Sequence, residues 1–374
     1  MLPIQVIVKY CTPKTGGEGV AYRFCEYLQT NNIPFSLICG RNKTSDTPFA
    51  DNIVRLGMLR PSRLLKYSSF FHRASKYIQQ HKGIAFSFEY VVGAQILRMT
   101  GVHNTFLEKS LEGMSPRAQK KKQRSRACNL YNYYLPWQEK CTVTNPALRQ
   151  IITPSSMTQD EICSAYPFTS DKISVIHNGV NKSRFRPPTR EEKNAARSHF
   201  LPKNNATTII GFAGNNFERK GLSHCIASLK ELPDAVLLVA GSDSITKYAQ
   251  QARKDGVEDR VIFLGHQNDI TQFFNALDVF CLPTRYDPFG FVIGEAIASG
   301  VPVVASSHAG GAEIINSGVS GLVCSKFEDR VIADAIRKAA NISAENIHTT
   351  VPSEADMFAD YVKVAEEVIR QTNK

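Results

Sequence analysis

No two of the nine cysteines stand in a CxxC spacing, no apolar run reaches the roughly 18 residues of a membrane-crossing helix, and no short repeat or low-complexity tract occurs. These absences set aside a zinc ribbon, a dithiol redox centre, a helical membrane span and a solenoid. Set mostly among apolar residues, the cysteines are expected to be buried, reduced thiols. The N-terminal MLPIQVIVKYC enters strand-like sequence directly, without the charged, apolar and small-residue regions of a secretory signal, so a cytoplasmic location is expected.

Acidic residues are scarce in one half only. Residues 1–187 hold 26 Lys and Arg against 11 Asp and Glu, a net of +15, whereas residues 188–374 hold 19 against 23, a net of −4. The asymmetry points the first half at a polyanion or an anionic membrane surface. Segments 55–83 and 117–140 set Lys and Arg beside Leu, Phe, Tyr and the single Trp137, a mixture suited to anionic lipid. No nucleic-acid-binding module is recognisable, so nucleic acid is not the expected partner.

A chain of 374 residues fits two domains. The first half opens with the apolar run Ile4 to Val8, a glycine-containing loop, a helix from about Gly19 to Thr30 and the strand PFSLICG. The second half runs TTIIGFAG, GLSHCIASLKEL, AVLLVAG, TKYAQQARKDG, VIFLG, ITQFFNAL and VFCLP. Strand followed by helix at this rhythm predicts parallel sheets covered on both faces, hence two doubly wound α/β domains facing across a cleft. Two prolines in FRPPTREEK (185–193) place the division between 1–187 and 188–352, and SEADMFADYVKVAEEVIRQTNK (353–374) reads as an amphipathic helix.

Ligands of such sheets bind beyond the C-terminal ends of the strands. GFAGNNFERKG (211–221) ends a strand in glycine and brings Arg219 and Lys220 to a helix start, where amides and cations together favour phosphate. TRYDPFGFVIGEAIASGVPVVAS (284–306) places Asp287 in a loop, Gly290 at the start of a helix expected to run through Ala298, and Glu295 within it. The amides around Gly290 and Phe291 would be unpaired at that helix start. Two carboxylates on either side of phosphate-binding amides suit the vicinal hydroxyls at the two ends of a nucleotide sugar. An Asp helix cap and a solvated Glu is the alternative reading of the same residues.

Acid, seven residues, acid, followed by ASGVPVVAS and HAGGAEIINSGVSGLV, resembles the donor-binding signature of retaining GT-B glycosyltransferases of family 4. GNNFERKG, LLVAGSDS, VIFLGHQNDI and VIHNGVN extend the resemblance over the second half. VKYCTPKTGGEGVAYRF and LRMTGVHNTFLEKS resemble bacterial lipopolysaccharide core glycosyltransferases, in particular those adding an α-1,3-linked glucose. The resemblance implies transfer of a hexose, with UDP-glucose the first donor to consider, to an anionic glycolipid at the inner membrane face. It implies Glu295 on the ribose, Asp287 on the sugar hydroxyls, Arg219 and Lys220 on the diphosphate, and Gly290, Phe291 and Val292 presenting amides. Gly16 and Gly17 would approach the donor phosphates from across the cleft, the backbone at Gly265 and His266 would read uracil, and His103 would lie near donor sugar and acceptor. Asn215 stands where many relatives carry Arg, with Arg219 as the substitute charge, and Asp287 replaces the usual Glu. In this fold the C-terminal helix often returns to the first domain. No Asp-x-Asp pair exists, so neither a metal nor a cofactor is expected. KTGG (14–17) also resembles the donor loop of glycogen and starch synthases, which makes a soluble α-glucan synthase one alternative. A non-catalytic sugar-nucleotide or lipid-binding protein is another.

Overall fold

Continuous apolar strands without alternation belong to parallel sheets covered on both faces, and both sheets of this protein are wholly parallel. The computed structural model describes residues 2–13, 16–44, 46–112, 114, 116–201, 208–345 and 347–372. Lys14 and Thr15 of the KTGG segment lie outside the described residues. Two units are formed, one from Met1–Pro154, Thr158–Ile176 and Met357–Lys374, the other from Ser155–Met157 and His177–Asp356.

In the first unit the strands are β1 (Ile4–Cys11), β2 (Phe35–Asn42), β3 (Ile53–Arg55), β4 (Ile84–Ser87), β5 (Ile96–Arg98), β6 (Gln150–Thr153) and β7 (Ile173–Val175), in the sheet order β3-β2-β1-β4-β5-β6-β7. Its helices are α1 (Gly17–Thr30), α2 (Arg63–Gln80), α3 (His103–Lys109), α4 (Pro116–Ala127), α5 (Tyr131–Val143) and α6 (Ser156–Ala165). The winding reverses between β1 and β4. Loops leaving the C-terminal ends of those two strands diverge there, which opens a crevice at the strand ends.

The second unit holds α7 (Arg190–Phe200), β8 (Thr208–Ala213), α8 (Phe217–Lys220), α9 (Leu222–Ser228), β9 (Ala235–Ala240), α10 (Thr246–Lys254), β10 (Val261–Gly265), α11 (Thr271–Ala276), β11 (Val279–Leu282), α12 (Phe291–Ala298), β12 (Val303–Ser306), β13 (Gly321–Cys324) and α13 (Asp329–Ala339). Its sheet order is β10-β9-β8-β11-β12-β13, so the reversal falls between β8 and β11. All six residues of β9, AVLLVA, are buried. Phe212, Phe217, Phe273, Phe274 and Phe280 fill the same core.

Three expectations are corrected. The division falls between Ile176 and His177, ahead of Pro187 and Pro188. Those prolines lead into α7, where the Glu192 amide donates to the Thr189 hydroxyl and the Glu192 carboxylate accepts from the Thr189 amide. A capping box stiffens a helix entry, so the prolines belong to an element of the second unit. Of the cysteines, all free, six are buried but Cys128 is exposed and Cys141 and Cys163 are partly so. Cys128 follows α4, whose PRAQKKKQRSRA offers no apolar face to bury it. Finally, Arg219 and Lys220 close the one-turn α8 and do not open α9, because Gly221 breaks the helix in the left-handed conformation.

The last helix, α14 (Glu354–Thr372), contributes Phe358 and Tyr361 to an aromatic cluster with Phe24 and Phe86, ring centroids 5.2 to 5.5 Å apart around Phe24. Arg98 Nε, on the buried strand β5, donates to the Tyr361 hydroxyl at 2.8 Å. Tyr361→Ala is expected to lower stability by about 3–5 kcal/mol, as large-to-small aromatic substitutions in cores do, measured as a shifted urea midpoint with an unchanged far-ultraviolet spectrum in the absence of urea.

Candidate functional site in the second unit and a buried polar cluster in the first

At the β8/β11 reversal the chain leaves β8 through Gly214, whose φ of +135° is open to glycine alone. A Cβ there would stand 2.6 Å from Lys220 Nζ. The bare glycine therefore lets the Lys220 side chain lie across the backbone of the strand end. Asn216, also left-handed, caps α8 by accepting the Arg219 amide. The α8 segment is then stitched to the loop after β11. Arg219 O accepts from the Arg285 amide at 2.8 Å and the Thr284 hydroxyl at 3.1 Å, and Arg219 Nη1 donates to Tyr286 O.

This stitching brings three predicted residues together. Asp287 Oδ2 lies 3.4 Å from Lys220 Nζ and 3.6 Å from Arg219 Nη1, with all three side chains at most 14 % exposed. Removing one member of so enclosed a group would leave a charge without its partner. Arg219 Nε is buried without a hydrogen-bond partner. A planar guanidinium with a donor left over, beside an ammonium, is suited to an anion's oxygens.

The Asp287 backbone is clamped by the loop after β12. Its amide donates to His308 O at 3.0 Å and its carbonyl accepts from Gly310 N at 2.9 Å, while Gly311 N donates to Phe289 O at 2.6 Å. A Cβ on Gly310 or Gly311 would meet the Pro288 or Phe289 carbonyl oxygen at 2.1 or 2.3 Å, so HAGG is needed for this approach. Gly290, at φ +79°, then starts α12. Among the described residues no acceptor takes the amides of Gly290, Phe291 or Val292, which leaves the positive end of α12 open. Glu295 is half-buried in the second turn. Asn215 is exposed, and its Oδ1 accepts the Ser242 amide, tying the loop after β8 to that after β9. His266 is exposed just beyond β10. Among the described residues no group of three or more His, Cys, Asp and Glu side chains is placed to hold a metal ion.

In the first unit Gly16 caps α1 at φ +94° and Gly17 opens that helix. His103 opens α3, its amide donating to Glu139 Oε2 at 3.0 Å. Glu139 is only 1 % exposed and also accepts from Tyr166 Oη at 2.9 Å. Burial raises the Glu139 pKa against those hydrogen bonds. Burial, with Arg63 and then Arg126 adding, lowers the His103 pKa, so the imidazole is neutral at pH 7. Its Nε2 is buried and unpartnered. Glu139 and the chain neighbours of His103, Val102 and Asn104, line an open groove of about 430 Å³ together with Glu108, Trp137 and Tyr166.

Sequence reasoning missed a second group, at the β1/β4 reversal. Lys9 Nζ lies 3.3 Å from Glu89 Oε2 and 3.9 Å from Glu18 Oε1. Burial works against the Lys9 ammonium, but Glu89 and Glu18 outweigh it and hold its pKa above the usual lysine value. Burial pushes Glu89 up to about 7 against the pull of Lys9. The signal was a lone charge inside each of two apolar stretches, IQVIVKYC and AFSFEYVV.

Residues 14–184 match the family described as Glycosyltransferase Family 4, and residues 194–349 the family described as Glycosyl transferases group 1. The lipopolysaccharide core biosynthesis mannosyltransferase LpsB of Rhizobium meliloti is 31 % identical over 174 residues, 43 % of this chain and 49 % of its own. The chain spans about half the length of the curated relatives it matches. The crystal structure of WaaG, a glycosyltransferase involved in lipopolysaccharide biosynthesis, aligns over 98 % of this chain and 99 % of its own, at a TM-score of 0.75 and 18 % identity. That of Anabaena Alr3699/HepE in complex with UDP and glucose aligns over 98 % and 100 %, at a TM-score of 0.72 and 17 % identity.

Glu89 carries a pH dependence whose sign follows from its raised pKa. Between 4.5 and about 7 the folded chain binds more protons at this carboxyl than the unfolded chain does. Its contribution to stability is complete below 4.5 and is lost as pH rises through 7. Glu89→Gln is expected to flatten the fall in unfolding free energy between pH 4.5 and 7.5 by about 2 kcal/mol, read from urea titrations at both pH values.

Proposed function

We propose, from a chain whose residues 14–184 match Glycosyltransferase Family 4 and whose residues 194–349 match the glycosyl transferases group 1 family, that this protein is a retaining, metal-independent hexosyltransferase. Its donor is a UDP-sugar, UDP-glucose first, and its acceptor an anionic glycolipid of the lipopolysaccharide core type. The observation that carries the reading is the enclosed Asp287–Arg219–Lys220 cluster beside the open amides of α12, at the β8/β11 reversal.

The chemistry follows from the charges. A diphosphate entering this site offers Arg219 and Lys220 an anion stronger than Asp287, with the leftover Arg219 Nε as an added donor. Asp287, released from its cations, accepts hydrogen bonds from the sugar hydroxyls, while Glu295 takes those of the ribose and the backbone at Gly265 and His266 faces uracil. Amides of Gly290, Phe291 and Val292 complete the cradle. In the transfer the bond between C1 and the β-phosphate oxygen breaks, the acceptor oxygen bonds to C1 on the same face, and the acceptor proton passes to the departing phosphate. Negative charge grows on that phosphate, and the two cations and the helix amides are preorganised to stabilise it. The family resemblance assigns Gly16 and Gly17 to the donor phosphates and Asn215 to the edge of the donor site. The same resemblance gives His103, through its neutral imidazole, to the reacting sugar.

Membrane attachment has its own support. Among the described residues no helix is long and apolar enough to cross a membrane. Yet α4 carries six cations, Arg117, Lys120, Lys121, Lys122, Arg124 and Arg126, and is followed by Leu130, Tyr133 and Trp137 at 70, 61 and 59 % exposure. Exposed large apolar groups next to clustered cations suit the interface of an anionic bilayer. The reading places the protein in the cytoplasm, peripheral on the inner membrane face.

The experiment is calorimetry of UDP-glucose, other UDP-sugars, ADP-glucose and GDP-mannose, with and without EDTA. One UDP-sugar binding more tightly than UDP, unchanged by EDTA, is expected; a preference for ADP-glucose would move the protein to glucan synthesis, and no nucleotide binding would end the reading. Lys220→Ala and Arg219→Ala are each expected to lower turnover by about 10²–10³-fold with normal circular dichroism. His103→Ala should lower turnover while UDP affinity stays within about twofold. In vesicle co-sedimentation, replacing Lys120, Lys121 and Lys122 with Gln is expected to release the protein from phosphatidylglycerol vesicles, since each cation near an anionic surface contributes about 1 kcal/mol. Equal pelleting of the variant and the wild type would remove the α4 assignment.

A further inference from the structure

Cations in the first unit gather on tyrosine faces with too few carboxylates to match them. Lys43 Nζ lies 3.7 Å from the Tyr10 ring centroid and Lys66 Nζ 5.1 Å from it. Lys66 and Lys9 also approach Tyr67, at 5.7 and 5.0 Å. Arg63 spans the Tyr67 and Tyr131 rings, its guanidinium carbon 4.2 Å from the Tyr131 centroid. Tyr67 and Tyr131 are themselves in contact, centroids 5.3 Å apart. Only Lys9 among these cations is answered by carboxylates, those of Glu18 and Glu89. Among the described residues Lys43, Lys66 and Arg63 form no ion pair, which leaves three positive charges in surplus.

The placement of two of them is unfavourable without an anion. Arg63 and Lys66 occupy the first turn of the 18-residue α2, which contains no acid, and Ser62 is spent capping the Leu65 amide. The helix dipole presents partial positive charge at that end, so cations there repel the dipole as well as one another. Cation–π contacts hold the side chains in place but do not neutralise them. Tyr10 and Lys9 lie on β1, Glu89 follows β4, and Lys43 follows β2, so the group occupies the strand ends at the β1/β4 reversal, where ligands of wound sheets bind. Arg63 also acts electrostatically on His103.

We propose that Arg63, Lys66 and Lys43, with the Tyr10, Tyr67 and Tyr131 rings, form a binding site for a sugar phosphate monoester. Three unpaired cations and a helix start answer a dianion better than a single carboxylate. Half-buried Tyr67 and the paired Glu18 and Glu89 supply an aromatic face and hydroxyl acceptors for the sugar that carries the phosphate. That this sugar is the acceptor rests on the transferase reading; the site itself does not.

The test is calorimetry on the full chain with glucose 6-phosphate, glucose, glucuronate and inorganic phosphate, each with UDP titrated separately. Glucose 6-phosphate is expected to bind at least tenfold more tightly than the other three. The Arg63→Gln/Lys66→Gln variant should lose at least tenfold in that affinity, with UDP affinity unchanged and with Lys120→Gln/Lys121→Gln as a charge-matched control that keeps it. Equal affinity for inorganic phosphate would overturn the sugar part of the site, and no binding, or binding indifferent to Arg63→Gln/Lys66→Gln, would overturn it altogether. To separate a lipid headgroup from a soluble sugar phosphate, vesicles bearing a phosphorylated glycolipid are compared with phosphatidylglycerol vesicles. Loss of binding by the variant on the first alone supports a glycolipid headgroup, and equal loss on both would show a general response to membrane charge and overturn the proposal. Glucose 6-phosphate binding without UDP-sugar binding would keep this site and remove the transferase reading; the reverse would remove this site only.

Discussion

The second unit depends on one buried charge arrangement, a carboxylate held between an ammonium and a guanidinium. Asp287 stands 3.4 Å from Lys220 and 3.6 Å from Arg219 in a place where water reaches little of any of them. Its geometry requires several backbone features at once. Gly214 must lack a side chain so that Lys220 can lie across it, Asn216 and Gly221 must be left-handed so that α8 is a single turn, and Gly310 and Gly311 must let the β12 loop close on Asp287. Each is a local constraint, and they meet only because β8 and β11 are neighbours with opposite winding on either side.

The first unit repeats this design with different chemistry. Its reversal point lies between β1 and β4 and holds Lys9 between Glu89 and Glu18. Here the carboxylates outnumber the buried cation, and the excess positive charge is carried outward on tyrosine rings by Arg63, Lys66 and Lys43. Nearby, Glu139 anchors the first turn of α3 through the His103 amide, while burial, with Arg63 and Arg126, keeps the imidazole neutral and one of its nitrogens is unpartnered. Each unit thus sets a group of buried charges at the strand ends where its winding reverses.

Apolar strands are readable because their burial on both faces removes any alternation, and glycine-terminated strands followed by polar loops mark the ends where ligands bind. That is why β8, β9, β10 and β11 and the start of α12 could be named in advance, with Arg219, Lys220 and Asp287 as candidates that the fold then brings together. Local sequence is less informative about pairing. The prolines before α7 look like a boundary but belong to a capped helix entry, and α8 ends where a helix was expected to begin. Cys128 is exposed because α4 has no apolar side, a fact plain in PRAQKKKQRSRA once it is known to be a helix.

Periodicity and composition by themselves determined two wound α/β units, the basic first half and the motif residues, since each follows from neighbours along the chain or from simple counting. Tertiary structure alone decided that Asp287 pairs with both cations, that Lys9 meets Glu89 across a strand pair 80 residues apart in sequence, and that Arg98 reaches Tyr361 from 263 residues away. The reason is physical. Charge interactions fall within reach only after sheet order has been set, and sheet order is chosen by the summed burial of whole strands and helices.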